Sequence, residues 1–129
     1  MPEIKQKKIL VVDDDVFLLS SITSFVTGAG YAVTTAAGGA EALARIMEGM
    51  PDLIIVDAIM PEMDGFELAR RIRGLENGKK VPILMLSGLR TNAGTIGMEA
   101  SGITEHITKP VRPEELLRRV EYHFRPRFF

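Results

Sequence analysis

Five apolar runs of strand length recur along the chain, at Lys8–Val12, Tyr31–Thr35, Leu53–Val56, Val81–Leu86 and Ile103–Thr108, with a helix-length segment after each. Val16–Thr27 places Leu18, Ile22, Phe25 and Ala29 on one face at spacings of four, three and four, and stops at Gly28-Ala29-Gly30. A second helix is predicted over Gly39–Glu48 with Leu43, Ile46 and Met47 inward. A third is predicted over Asp64–Leu75 with Phe66, Leu68 and Ile72 inward and Asp64 as its N-cap. The fourth, Thr91–Ala100, carries Gly94 and Gly97, each costing about 1 kcal/mol against Ala, and is expected to be short or mobile. The last opens at Pro113, has Glu114 and Glu115 in its first turn, and stops before Pro126. The third and fourth apolar runs lack polar alternation, as strands covered on both faces do. This alternation predicts an α/β fold, a doubly wound five-stranded parallel sheet between two layers of helices.

The 129 residues suit one domain, with a core from about residue 8 to 124 and 125–129 as a tail or the start of a linker. Sixteen Lys and Arg against 17 Asp and Glu give a net charge of -1, too little for a global field that gathers nucleic acid or anionic lipid. With no cysteine the chain has no disulfide, thiolate metal site or thiol nucleophile, a composition that suits a reducing cytoplasm. The run Ile9-Leu10-Val11-Val12 is too short for a signal-peptide core and ends in three aspartates, so no secretion or membrane segment is expected.

In an open parallel sheet, ligands bind beyond the carboxyl ends of the strands. Here those ends carry Asp13-Asp14-Asp15, Asp57, Ser87-Gly88 and Lys109-Pro110. A nucleotide phosphate would require a glycine-rich turn after the first strand and meets three carboxylates instead. Carboxylates gathered at one edge repel, and Mg²⁺, which takes one or two carboxylates and keeps several waters, relieves that repulsion. With a metal, the Lys109 charge and the Ser87 hydroxyl around an incoming phosphoryl group, the edge can support phosphoryl transfer to a carboxylate, with Asp57 as central candidate.

The segments ILVVDDD (Ile9–Asp15), PDLIIVDAIMPEMDGFEL (Pro51–Leu68), PILMLSG (Pro82–Gly88) and TKP (Thr108–Pro110), in this order, identify a resemblance over essentially the whole chain. The sequence resembles the receiver domain of bacterial two-component response regulators, the chemotaxis receivers among them. The resemblance implies a flavodoxin-like (βα)5 fold with strand order 2-1-3-4-5. It implies Asp57 as phospho-acceptor, Asp14 as a direct Mg²⁺ (or Mn²⁺) ligand, Asp13 as a ligand through water, and Ile59 as a backbone carbonyl ligand. Asp57 itself would complete the metal set. Ser87 would be the switch hydroxyl, Lys109 the ion-pair partner of Asp57 and its phosphate, and Pro110 would follow a cis peptide. Pro61 and Gly65 would set the turn of the loop after the acceptor strand.

Two positions depart from the family pattern. His106 stands where the family usually has Tyr or Phe as the rotamer switch coupled to Ser87. Ile59 and Leu89, expected to flank the path of attacking water, are both apolar, which predicts slow hydrolysis of an aspartyl phosphate. The expected function is a phosphorylation-activated switch rather than a conventional enzyme. It would accept a phosphoryl group from a sensor histidine kinase or phosphotransfer protein and signal to an effector protein or fused output domain. The signalling face would be the fourth helix, fifth strand and last helix, and a phosphorylation-dependent dimer is compatible with it. Neither nucleic acid nor membrane is an expected direct partner, and no DNA-binding or catalytic output domain is expected to fit within these residues. Read one at a time, Asp13 and Asp14 can merely cap the first helix, a role assigned to Asp15; Ser87 can be a turn residue and Lys109 a solvated cation. Two rivals are weighed against it. One is a phosphorylation-independent receiver-like scaffold, against which the intact acids, Ser87 and Lys109 argue. The other is a haloacid-dehalogenase-type phosphohydrolase, whose D-x-D motif Asp13-Asp14-Asp15 matches formally but which calls for a further acidic motif and a longer chain and leaves the Asp57 loop unexplained.

Overall fold

The computed structural model describes residues 6–88 and 102–125. Five parallel strands, β1 (Lys8–Val12), β2 (Ala32–Ala36), β3 (Leu53–Asp57), β4 (Ile83–Ser87) and β5 (Glu105–Thr108), form one sheet in the order β2-β1-β3-β4-β5. Four helices are described, α1 (Val16–Gly28), α2 (Gly39–Glu48), α3 (Gly65–Gly74) and α4 (Pro113–Phe124), with a short 3₁₀ turn over Glu76–Gly78. The helix expected at Thr91–Ala100 lies outside the described residues, as does Leu89.

Every residue of β3 and β4 is buried, which explains their near-continuous apolar sequence. Successive side chains of a strand point to opposite faces, so the sheet sorts its residues into two cores. Leu10, Val12, Ile54, Val56, Ile83 and Met85 pack with Ala42 and Ile46 of α2 and Leu68 and Ile72 of α3. Ile9, Val11, Ile55, Leu84, Leu86 and Ile107 pack with Ile22 and Val26 of α1 and Leu116 and Val120 of α4.

The expected elements appear with shifted edges: β2 runs one residue later, and β4 and β5 begin two residues later. Two inward assignments are corrected. Met47 is 75% exposed, because Ala42, Leu43 and Ile46 already fill the face that α2 presents to the sheet. On α1 the core residue is Val26 rather than Ala29, which is the exposed C-cap where the helix has already ended. Asp15 and Asp64 cap α1 and α3 as expected, the first accepting from the Phe17 and Leu18 N–H groups and the second from the Glu67 N–H. No described helix is long and apolar enough to cross a membrane.

Candidate functional site

The strand register brings the polar residues to one edge. Val12 pairs with Val56, so the next residues, Asp13 and Asp57, leave adjacent strands at the same level. Asp57 pairs with Leu86, which sets Ser87 one step further out, and Ser87 pairs with Thr108, which sets Lys109 one step beyond that. Main-chain bonds lock these ends: Asp13 N–H donates to Ala36 O (3.1 Å), Ala58 N–H to Leu86 O (2.9 Å) and Lys109 N–H to Ser87 O (2.9 Å). The Lys109–Pro110 peptide is cis, as the family resemblance implied.

The loop after β3 is pulled tightly against the strand it leaves. Gly65 N–H donates to Ala58 O at 2.8 Å, and a Cβ on Gly65 would sit 2.4 Å from Asp57 O, so only glycine fits at the start of α3. Ile59 N–H folds back onto Asp57 Oδ1 at 3.4 Å. Pro61 lies in the exposed part of this loop.

Asp13, Asp57 and Ser87 are the buried polar residues of the described core. One carboxylate oxygen from each of Asp13, Asp14 and Asp57 lies within 4.8 Å of the others, with Asp14 exposed. Lys109 Nζ meets Asp57 Oδ1 at 3.1 Å. Three carboxylates against one ammonium leave negative charge in a desolvated place. Burial, then the Asp57 charge, push the Asp13 carboxyl up to about 6 against the opposing pull of the Asp15 N–H and Lys109. Asp13 Oδ1 accepts from Asp15 N–H at 2.9 Å, whereas the buried Oδ2 has no hydrogen-bond partner. An orphaned carboxylate oxygen within an all-oxygen, net-negative donor set fits a hard divalent cation such as Mg²⁺. A cleft of about 740 Å³ between Ala37–Glu41 and the 61–71 segment is lined by none of these groups.

A family model described as the response regulator receiver domain matches residues 9–121. The chain belongs to this receiver-domain family. It is 37% identical over 123 residues to an uncharacterized 14.6 kDa protein of Leptolyngbya boryana, covering 95% of this chain and 94% of that one. The chemotaxis protein CheY4 of Vibrio cholerae superposes with a TM-score of 0.88 at 36% identity, covering 92% of this receiver domain and 98% of that chain. The receiver domain of a sensor histidine kinase from Pseudomonas aeruginosa, with a magnesium ion coordinated in its active site cleft, superposes with a TM-score of 0.84 at 29% identity, covering 92% and 97%. The chain spans about half the length of other curated relatives, DNA-binding response regulators among them. Receiver domains of this family are phosphorylation-activated signalling switches of two-component systems, not enzymes in the conventional sense.

The structure thus brings Asp13, Asp14, Asp57 and Lys109 of this receiver domain together and places Ser87 at the end of the neighbouring strand. His106 is half-buried on β5 and lines with Lys109 and Arg112 a cleft of about 350 Å³. Ile59 is 65% exposed beside Asp57. Sequence reasoning missed the Asp15 N–H as a partner of Asp13, because main-chain donors leave no mark in residue types.

Proposed function

We propose that this receiver domain, a single unit over about residues 8–124, is phosphorylated on Asp57 by a sensor histidine kinase or phosphotransfer protein of the cytoplasm. Asp13, Asp14 and Asp57 would hold Mg²⁺ (Mn²⁺ being the alternative) with the Ile59 carbonyl. When bound, the ion neutralises charge on the carboxylates and on the phosphoryl oxygens. An Asp57 carboxylate oxygen attacks phosphorus, the donor's P–N bond breaks, and the imidazole leaves with the electron pair. Lys109, already on Asp57 Oδ1 at 3.1 Å, holds a charged oxygen of the arriving group, and the Ser87 hydroxyl supplies a donor from β4.

The resulting acyl phosphate biases two arrangements of Ser87 and His106, and the change reaches an effector or fused output domain through residues 91–100, β5 and α4. A phosphorylation-dependent dimer on that face is one form of output. Return to the resting state is self-catalysed hydrolysis, slowed by the apolar Ile59 and Leu89. The observation that carries this reading is the three-aspartate cluster with Lys109 on Asp57 and an unsatisfied Asp13 oxygen inside it. Incubation with acetyl phosphate and Mg²⁺ tests it by intact mass. One added phosphoryl group is expected, absent with EDTA and absent in Asp57→Asn; equal incorporation in Asp57→Asn would overturn it.

A further inference from the structure

Asp15 ties the start of α1 to the acidic cluster with both halves of the residue. Its side-chain Oδ1 accepts from Phe17 N–H at 3.0 Å and Leu18 N–H at 3.2 Å, which makes it the N-cap of α1 with extended φ -80° and ψ 107°. Its main-chain N–H donates to Asp13 Oδ1 at 2.9 Å. Asp13 is 1% exposed, and its two oxygens are in unlike states: Oδ1 is taken by that N–H, and Oδ2 is buried without a partner. A carboxylate is planar, so a bond that holds one oxygen also sets the direction of the other.

We propose that Asp15 is a positioning residue for the divalent cation. Its cap fixes the peptide whose N–H orients Asp13, and so presents Asp13 Oδ2 to the site shared with Asp14 and Asp57. The proposal rests on the reading that the cluster binds Mg²⁺. Asp15 itself does not complete the cluster of close carboxylate oxygens, and its side chain is committed to two helix N–H groups. It acts through Asp13, as groups behind a metal ligand do when they fix its orientation. The arrangement also makes the coupling reciprocal: an ion that holds Asp13 steadies the first turn of α1.

The test titrates the metal-free protein with MgCl₂ by isothermal calorimetry, on the full chain, four Asp15 variants and one control variant at Asp64. Asp15→Asn and Asp15→Ser keep a capping oxygen without the charge, whereas Asp15→Ala loses both. Asp15→Gly is the fallback should the alanine variant not fold, since glycine is tolerated at an N-cap but makes no side-chain bond. Capping variants are expected to bind within about twofold of the unmodified protein, and Ala or Gly about tenfold more weakly, a typical loss on removing support behind a metal ligand. Asp64→Ala removes a comparable cap from α3 without touching Asp13 and should leave Mg²⁺ affinity unchanged. Wild-type affinity in Asp15→Ala or Asp15→Gly would overturn the proposal, as would an Asn variant as weak as Ala, which would make the effect one of charge. Failure of the unmodified protein to bind Mg²⁺ would instead overturn the metal reading itself.

Discussion

Burial beside Asp57 raises the Asp13 carboxyl from its ordinary value of 3.8 to about 6, so the metal-free folded protein holds this proton more tightly than the unfolded chain does. The sign follows from linkage: stability from this group is fully present below about pH 4 and is lost as pH rises toward 6, at about 1.4 kcal/mol per unit over that window. Glu67, held below its usual value by Arg71 and Arg70, works in the opposite direction, favouring the fold above its ordinary value. Thermal melts in EDTA should therefore show Asp13→Asn more stable than wild type at pH 7, with the difference shrinking toward pH 4; an equal or lower melting temperature at pH 7 would refute this. Ile59, exposed beside Asp57, carries a second residue-scale prediction. Ile59→Glu should shorten the lifetime of the acyl phosphate severalfold by giving water a polar guide, measured as the decay of phosphorylated protein after donor removal. The identities of Asp13, Asp14, Asp57 and Lys109 as a cluster were legible in the sequence because each ends a strand. The unequal state of the two Asp13 oxygens was not, since it depends on a main-chain N–H two residues away.

The elements were legible where one periodicity dominates. β3 and β4 read as fully buried strands, and are. α2 was read with too wide an apolar face because hydropathy ranks Met47 above Ala42, whereas the close approach of helix to sheet favours the small residue. Contacts that fasten elements at a distance were invisible. Glu105 on β5 joins Arg119 and His123 of α4, while the rings of Phe124 and Tyr31 meet at a tilt with centroids 5.6 Å apart. Arg73 of α3 donates to Gly102 O and Gly78 O, both at 2.9 Å, and so pins the approach to β5. Glu105→Ala should cost about 1–3 kcal/mol in urea unfolding, because two α4 side chains lose their charged partner in a partly buried place. Glu48→Ala, which removes an exposed partner of Arg45, should cost under about 1 kcal/mol. Equal effects of the two would contradict that ranking. Gly65→Ala should also be destabilising, by about 1–3 kcal/mol, and should reduce phosphoryl uptake, since its new methyl would push against Asp57 O.

At the scale of the molecule, a sheet covered by helices on both faces leaves its carboxyl edge as the place where charged groups can gather at low cost in core packing. Strand order and register then do the assembly: β1 and β3 are neighbours, so two aspartates far apart in sequence leave the sheet side by side, and β4 and β5 add Ser87 and Lys109 in steps. That order followed from the family resemblance, while the alternation of apolar runs reached only as far as a parallel sheet. In the D-x-D hydrolase alternative, Asp13 rather than its neighbour Asp57 would take the phosphoryl group, so the two readings differ in which aspartate is modified. Borohydride reduction converts a phosphorylated aspartate to homoserine, and peptide mass spectrometry after treatment with acetyl phosphate and Mg²⁺ locates it. The account predicts homoserine at position 57 with Asp13 and Asp14 unchanged; homoserine at position 13, or none at 57 in protein that has gained a phosphoryl group, would contradict it.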